Sequence, residues 1–397
     1  MRHMPYAFVG LLLALGACSA SSGVDEPAPD AGGTAGGSEP SDVDAGSPQD
    51  AAPDTDSAPE RPLICGDAGF CETKVPLSDV GLPLALRRVC AVGPNDAWSV
   101  TNEGYVLHYD GDRWNVEYRA NHELYAVWAT ATSVWVGGEF GLLLHRSATG
   151  TWTRVEPGHV GAIRDIYGSA DDDVWFPNPN QSVDHYDGTT LQNHPIDVPG
   201  LEITTVFGRP GAGTYAAGYV KGEVATEDML PFQSYVLPDR PYLFELSTTN
   251  ITPMSPSFAE RTGLKPVSGL VTDAPDEERK IFIVADQRMA MLISGVRQEF
   301  AWGKYAFVGP NSATDIDGAR GGLGSSDIPA LMYGWNDIRF MFFVGKIVKF
   351  DVSRDEFTND SLAMGYDFPA RNISAAHLHS SAVWVVGNGF ALKGSAQ

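Results

Sequence analysis

The segment Gly104-Tyr-Val-Leu-His-Tyr-Asp-Gly-Asp-Arg-Trp114 returns in altered form down the chain, each time behind a Trp-centred apolar run. A chain built from one repeated unit has few folds open to it. Tyr105 to Tyr109 carries strand-forming residues, Asp110-Gly111 is a two-residue hairpin signal, and Trp114 opens the returning strand. Upstream, Asp96 to Val100 and Arg88 to Val92 read as two more strands, so one unit holds four antiparallel strands. The second unit places them at Leu124 to Trp128, Ser133 to Gly137, Leu142 to His145 and Thr151 to Val155; the third starts with Ile163 to Tyr167, Asp173 to Phe176 and Ser182 to Tyr186. Four weaker units follow, with first strands near Thr204 to Phe207, Val267 to Val271, Ile328 to Tyr333 and Ile373 to His377, and second-strand aromatics Tyr215, Phe282, Phe342 and Trp384.

A four-stranded unit of about 40 to 45 residues is a propeller blade. The expected fold is all-β: a β-propeller of seven four-stranded antiparallel blades. The seventh unit supplies only three strands before Gln397. Glu72 to Pro76, at a suitable distance before the first unit, is expected to be its fourth strand and to close the ring, which removes two open sheet edges.

Residues 1–17 hold Arg2, His3 and an apolar run from Ala7 to Leu15 that is too short to span a bilayer. Leu15-Gly16-Ala17-Cys18 resembles a bacterial lipobox, which implies a cleaved signal peptide and a diacylated Cys18. Ser19, rather than Asp, then implies the outer membrane or cell surface. Residues 18–62 are dominated by Ala, Asp, Gly, Pro, Ser and Glu, with roughly ten acids against one base, and cannot bury a core. They read as a disordered acidic linker with a mean span of roughly 35–40 Å. Residues 63–397 read as the propeller domain.

The formal charge of −23 argues against nucleic acid as a partner. Of the four Cys, Cys65 and Cys71 are close enough to form a small disulfide loop, with Cys71 to Cys90 as the rival pairing. His108, His145 and His185 occupy equivalent third-strand positions, but Lys349 and Lys393 align with them, so the position reads as structural rather than as a metal ring. His377 and His379, two apart, either share one side of an extended segment or lie in the following turn. Trp98, Trp135, Trp175 and Trp384 recur in second strands and read as packing between blades. The acidic runs at Asp171 to Asp173 and Asp315 to Asp317 lie in turns without EF-hand spacing; calcium is the one ion they suggest, and no other cofactor is expected.

The longest connections are Lys221 to Pro241, between second and third strands of the fourth unit, and Gly303 to Asp327, read as lying between the fifth and sixth units. Those two kinds of connection leave an antiparallel blade at the same face, and extra loop length on a rigid scaffold is where recognition collects. Phe232, Tyr235, Tyr305, Phe307 and Asp315 are the resulting ligand-binding candidates.

Strings such as Val134-Trp-Val-Gly-Gly138 before Leu142-Leu-Leu-His145, and Leu107-His-Tyr-Asp-Gly111 before Trp114, resemble the repeats of secreted bacterial propeller lipoproteins. They are broadly similar to Kelch-like and Asp-box propellers, without a full Asp-box or a repeated Kelch Gly-Gly doublet. The expected function is a monomeric, membrane-anchored binding or scaffold lipoprotein that recognises an envelope protein or glycan on one propeller face. The alternative is an extracytoplasmic glycan-active hydrolase or lyase using carboxylates or a Tyr near the central channel.

Overall fold

The computed structural model describes residues 63, 65, 70–226, 234–254, 263–271, 279–285, 288–293, 296–301, 307–308, 331–335, 345–351, 356–362, 373–379 and 382–395. Their strands form seven four-stranded antiparallel sheets and one two-stranded hairpin. Sheet one runs Leu86–Gly93, Asp96–Thr101, Tyr105–Tyr109 and Trp114–Arg119. Sheet two holds Leu124–Ala129, Val134–Gly138, Leu143–Arg146 and Trp152–Val155, and sheet three Tyr167–Ala170, Asp173–Asn178, Ser182–Tyr186 and Leu191–Pro195. Sheet four holds Leu201–Arg209, Gly213–Val220, Arg240–Leu246 and Ile251–Pro253; sheet five starts at Pro266–Val271 and sheet six at Phe307–Val308. The architecture is a β-propeller.

The ring closes across the chain's two ends. Cys71–Thr73 pairs with Phe390–Ser395, which continues into Ala382–Gly387 and Ile373–His379 to complete sheet seven. The register sets Cys71, Glu72 and Thr73 opposite Lys393, Leu392 and Ala391. The Thr73 hydroxyl donates to the Ala391 carbonyl at 3.1 Å and accepts the Trp114 indole N–H at 2.9 Å, so the closing strand also binds sheet one. A disulfide joins Cys65 to Cys71, and Cys90 is a buried free thiol.

Apolar clusters lie between neighbouring sheets. Trp98 packs with Val127 and Val136 between sheets one and two, Trp135 with Ile163 and Phe176 between two and three, and Trp175 with Val206 and Phe244 between three and four. Trp384 packs with Leu107 and Trp114 across the closure between sheets seven and one. The regular second-strand Trp is thus the filling between blades.

Each of the first three Trp is covered by the third-strand His directly opposite it: Trp98 by His108, Trp135 by His145 and Trp175 by His185, with ring centroids 4.2, 4.2 and 4.0 Å apart. A residue at or just before the start of each second strand fixes the imidazole: Asp96 Oδ1 lies 2.9 Å from His108 Nε2, Ser133 Oγ 3.0 Å from His145 Nε2, and Asp173 Oδ1 2.8 Å from His185 Nε2. Asp173 also accepts the Trp175 indole N–H at 2.7 Å. Ser133 cannot reach both, and the buried Trp135 Nε1 has no partner among the described atoms. In sheet seven Lys393 stands opposite Trp384 and its ammonium lies 5.8 Å from that ring's centroid, a cation–π contact in place of the stacked imidazole.

The innermost strands pack closely on one another. Around the ring, a side chain of one strand reaches the small residue that follows the equivalent position in the next. The Ala91 N–H donates to His377 Nδ1 at 2.9 Å, and Cys90 Sγ lies 3.8 Å from the Ala129 carbonyl. Trp128 lies on Gly168, Tyr167 on Gly208 and Phe207 on Gly269; a Cβ at those glycines would fall 2.5, 2.7 and 2.2 Å from the nearest ring atoms.

The same strands share a register shift between Leu86 and Arg88, Leu124 and Ala126, Ile203 and Thr205, Pro266 and Ser268, and Ile373 and Ala375. A bulge of this kind re-aims the side chains beside it. Arg88, Ala126, Thr205, Ser268 and Ala375, which follow the shifts, are all buried, as is Asp165 at the matching place in sheet three.

Two expectations are corrected. The third unit's first strand begins at Tyr167, not Ile163. Asp165 withdraws the preceding residues from the ladder: its carboxylate accepts the Ile166 N–H, while the Ile163 N–H bonds the Gly138 carbonyl and the Arg164 carbonyl takes Arg88. In sheet six the first strand is Phe307–Val308 and Leu331–Trp335 is the second, so the long connection is 309–330, between first and second strands. Connections alternate ends in an antiparallel meander. That connection and 221–239, which joins second to third strand in sheet four, therefore leave from opposite faces, and the single face inferred from them is withdrawn.

Two substitutions test this packing. Gly168→Ala should destabilise the chain by about 1–3 kcal/mol through overpacking against Trp128, and Trp128→Leu should relieve that added cost, giving a clear coupling in a denaturant double-mutant cycle. Additive costs would refute the contact. Ser133→Asp should instead raise resistance to denaturant by about 1 kcal/mol, because a carboxylate there can hold both His145 and the Trp135 N–H as Asp173 does in sheet three; a loss of stability would show that the two sites are not equivalent.

Candidate ligand cup at the propeller axis

Sheets one and three are separated in the ring by sheet two, so a contact between their innermost segments crosses the central channel. Arg88 makes that contact. Its Nη1 donates to Asp165 Oδ1 at 2.9 Å and its Nη2 to the Arg164 carbonyl at 2.9 Å. Asp165 Oδ2 accepts the Thr205 hydroxyl at 2.7 Å and the Val206 N–H at 3.1 Å, adding sheet four. Arg88 and Asp165 are 2% and 1% exposed, so the pair is held out of solvent. Burial pushes the Asp165 carboxyl up, against the pull of Arg88 and three hydrogen-bond donors.

Beyond this pair, where the first strands end, the channel opens into a cup of about 390 Å³. Cys90 to Val92, Trp128 to Ala131, Tyr167 to Ser169, Gly208 to Pro210, Val271, His377 and His379 line it. Its polar side chains among the described residues are Thr130, Tyr167, Ser169, Arg209, His377 and His379. His377 and His379 are on one strand, Ile373–His379, two apart and therefore on one side, which settles the alternative of a turn.

Burial sets the chemistry of these groups. It holds His377 down to about 3, helped by neighbouring His379, and it lowers His379 as well. Nδ1 of His377 accepts from the Ala91 N–H and must stay unprotonated for that bond to persist. Burial pushes the Cys90 thiol up to about 12, so it is not a thiolate nucleophile. Tyr167 is pushed far up by burial and then by Asp173, with Arg209 pulling the other way, so its phenol stays a hydrogen-bond donor.

The other hollows differ. One of about 430 Å³ between sheets three and four is lined by Asp172, Asp173, Trp175, His185 and Asp187, but Asp173 is occupied by His185, Trp175 and Ser169. Asp171 accepts the Thr130 and Thr132 hydroxyls and so ties two inner turns together. Among the described residues no group of three or more His, Cys, Asp and Glu could hold a metal ion.

Of the residues singled out from sequence, His377 and His379 line this cup. Phe232, Tyr305 and Asp315 lie outside the described residues, as do Cys18 and Phe342. Tyr235 is on the hairpin strand Ser234–Val236 opposite Ala225, and Phe307 is on the first strand of sheet six opposite Gly334. Trp128, Tyr167, Arg209 and the siting of the His pair were missed; the available signal was an aromatic followed by Ala or Gly in successive first strands, Trp128-Ala129, Tyr167-Gly168 and Phe207-Gly208.

No family model and no curated protein matches the chain. Among solved structures it is similar to virginiamycin B lyase from Staphylococcus aureus, at 10% identity and a TM-score of 0.56 over 82% of this chain and 98% of that one. It is similar to YCF48 from Cyanidioschyzon merolae, at 13% identity and 0.54 over 82% and 98%. The WD40 β-propeller domain of Doa1 is matched at 11% identity and 0.53 over 82% and 96%. Likeness at these identities shows the fold alone, and that fold is the β-propeller.

His377 makes the cup wall sensitive to acid. Its folded-state pKa lies below the unfolded value of about 6.5, so its contribution is complete above that pH and is lost as pH falls toward 3, at roughly 1.4 kcal/mol per pH unit. His377→Asn can keep an acceptor for the Ala91 N–H without titrating. Between pH 6.5 and 5, denaturant unfolding should show a shallower loss of stability in the variant than in wild type; parallel curves would rule out the assignment.

Proposed function

We propose that the chain is a lipid-anchored extracytoplasmic binding protein that takes its ligand in the axial cup. The observation that carries this reading is the cup itself: a concave site at the ends of the innermost strands, with polar groups on an apolar wall. Small-molecule sites commonly have this form, with cavities of roughly 300–1,000 Å³. A glycan-cleaving enzyme of the usual kind needs two carboxyl groups flanking the bond, and the described lining offers His, Tyr and Arg in their place. Binding is therefore favoured over hydrolysis.

The anchor rests on Leu15-Gly16-Ala17-Cys18 and on the acidic, core-less composition of 18–62, which suits a tether between a lipidated Cys18 and the propeller. An outer-membrane or cell-surface location, with an envelope protein or glycan as the source of the ligand, belongs to the same proposal.

Two measurements separate its parts. Metabolic labelling with a clickable fatty acid should mark the wild type and place it in the membrane fraction, and both should vanish in Cys18→Ala; an unlabelled wild type refutes the anchor. For the cup, saturation-transfer NMR against monosaccharides, acetylated amino acids and small organic acids should find a binder that is lost in Ala131→Trp, which caps the cup from an exposed turn position. Undiminished binding by that variant, or no binder in the whole screen, would count against the cup.

A further inference from the structure

Of the eight large apolar side chains that stand exposed among the described residues, six lie at the end of the propeller opposite the cup: Leu77, Val80, Leu82, Phe140, Val160 and Val236. Residues 74–85 lead from the closing strand to sheet one, and 156–166 lead from sheet two to sheet three. Phe140 turns the second strand of sheet two into its third, and Val236 belongs to the 221–239 connection. First strands begin and second strands finish at that end. No described connection at the cup end exposes a residue of this kind.

The tips are held in place. Asp79, in the hairpin that carries Val80 and Leu82, binds the Arg119 guanidinium and accepts the Tyr105 hydroxyl at 3.0 Å, which fixes that hairpin to sheet one. Phe140 has left-handed backbone, φ 52° and ψ 38°, although it is bulky and 64% exposed. A Cβ at Gly141 would lie 2.2 Å from the His159 carbonyl oxygen, so the turn is pressed against the segment that carries Val160, and the Phe140 ring meets that of His122 edge-on at 5.3 Å. An isolated chain gains little from straining its backbone to expose an aromatic.

The charges between the tips say what covers them. Arg119 is paired with Asp79, Glu123 with Arg87 at 3.4 Å, and Glu139 accepts the Tyr125 hydroxyl at 3.0 Å. A protein-binding patch keeps charge out of its centre. Apolar tips standing apart among satisfied charges suit the boundary of a bilayer, where the tips enter the acyl edge and the charges stay among the headgroups. Residues 18–62, with a mean span of roughly 35–40 Å, would keep the propeller at high effective concentration over its anchoring membrane, so a few weakly inserting side chains are enough to orient it.

We propose that this end of the propeller docks on the lipid surface to which Cys18 anchors the chain, with Val80, Leu82, Phe140 and Val160 entering the interface and the cup turned away from the bilayer. This rests on the lipid-anchor reading. It adds to it an orientation and a membrane-contacting face.

The test uses the lipidated protein purified from membranes and reconstituted into phosphatidylcholine vesicles, with a fluorophore attached at Val160→Cys or, at the cup end, at Ala131→Cys. Labelling is selective, because Cys90 is a buried thiol and Cys65 and Cys71 share a disulfide. Spin-labelled lipid should quench the label at position 160 at least threefold more than the label at 131. Combining Val80→Ser, Leu82→Ser and Phe140→Asn should cut the quenching at 160 at least threefold with no fall in melting temperature, since only exposed side chains change and Asn tolerates left-handed backbone. A merely structural role for the three would lower the melting temperature and leave the quenching intact. Equal quenching at the two labels, stronger quenching at 131, or indifference to the triple variant would overturn the docking. No quenching at either label on vesicle-bound protein leaves the anchor standing, overturns the docking and assigns the face to a protein. If the wild type carries no lipid, the anchor reading fails by itself, and the same labelled chains held on vesicles by an N-terminal histidine tag and a nickel-chelating lipid decide the docking by the same quenching ratio.

Discussion

Innermost strands crowded around one axis have to share space, and the large-over-small succession is how this chain does it. Trp128 can lie flat on sheet three only because residue 168 has no Cβ, and Tyr167 on sheet four only because residue 208 has none. Each contact fixes the spacing of one pair of sheets, and with it the gap that the second-strand Trp and its partners fill farther out. The bulge just before these positions turns the next side chain inward, so one local irregularity repeated in five sheets builds the axial layer.

Within that layer Arg88 and Asp165 are a less obvious choice. A buried ion pair gains little over a well-packed apolar pair, because desolvating two charges offsets most of their attraction. What it does provide is direction. Arg88 donates to the carboxylate and carbonyl of the 164–165 segment, and Asp165 accepts from donors of sheets one, three and four, so the pair links particular sheets near the axis.

Much of the fold could be read from the sequence, because a repeat reports its period directly. Asp110-Gly111 and the recurring Trp located second, third and fourth strands in the first three units, and the shortage of a strand in the last unit pointed to the closing role of the Cys71–Thr73 region. The sixth unit was misread because Ile328 to Tyr333 is apolar enough to pass for a first strand, whereas the actual one, Phe307–Val308, is two residues long and carries no period at all. The axial site was hidden for a different reason. Arg88, Asp165, Tyr167 and His377 come from positions up to 289 residues apart, and only closure of the ring makes them neighbours. Loop length drew attention to the periphery, whereas the polar groups gathered at the centre.

The seam at Thr73 has a consequence for the order in which the molecule is made. Its hydrogen bond to Ala391 spans 318 residues, so the first described strand can find its edge only after residue 391 has been made. Until then both flanks of the unfinished ring stay open, and closure over so long a separation carries a large loop entropy cost. Folding thus passes through a stage in which a chain with its first six sheets made exposes two unpaired β edges, the kind of edge that invites pairing with other chains.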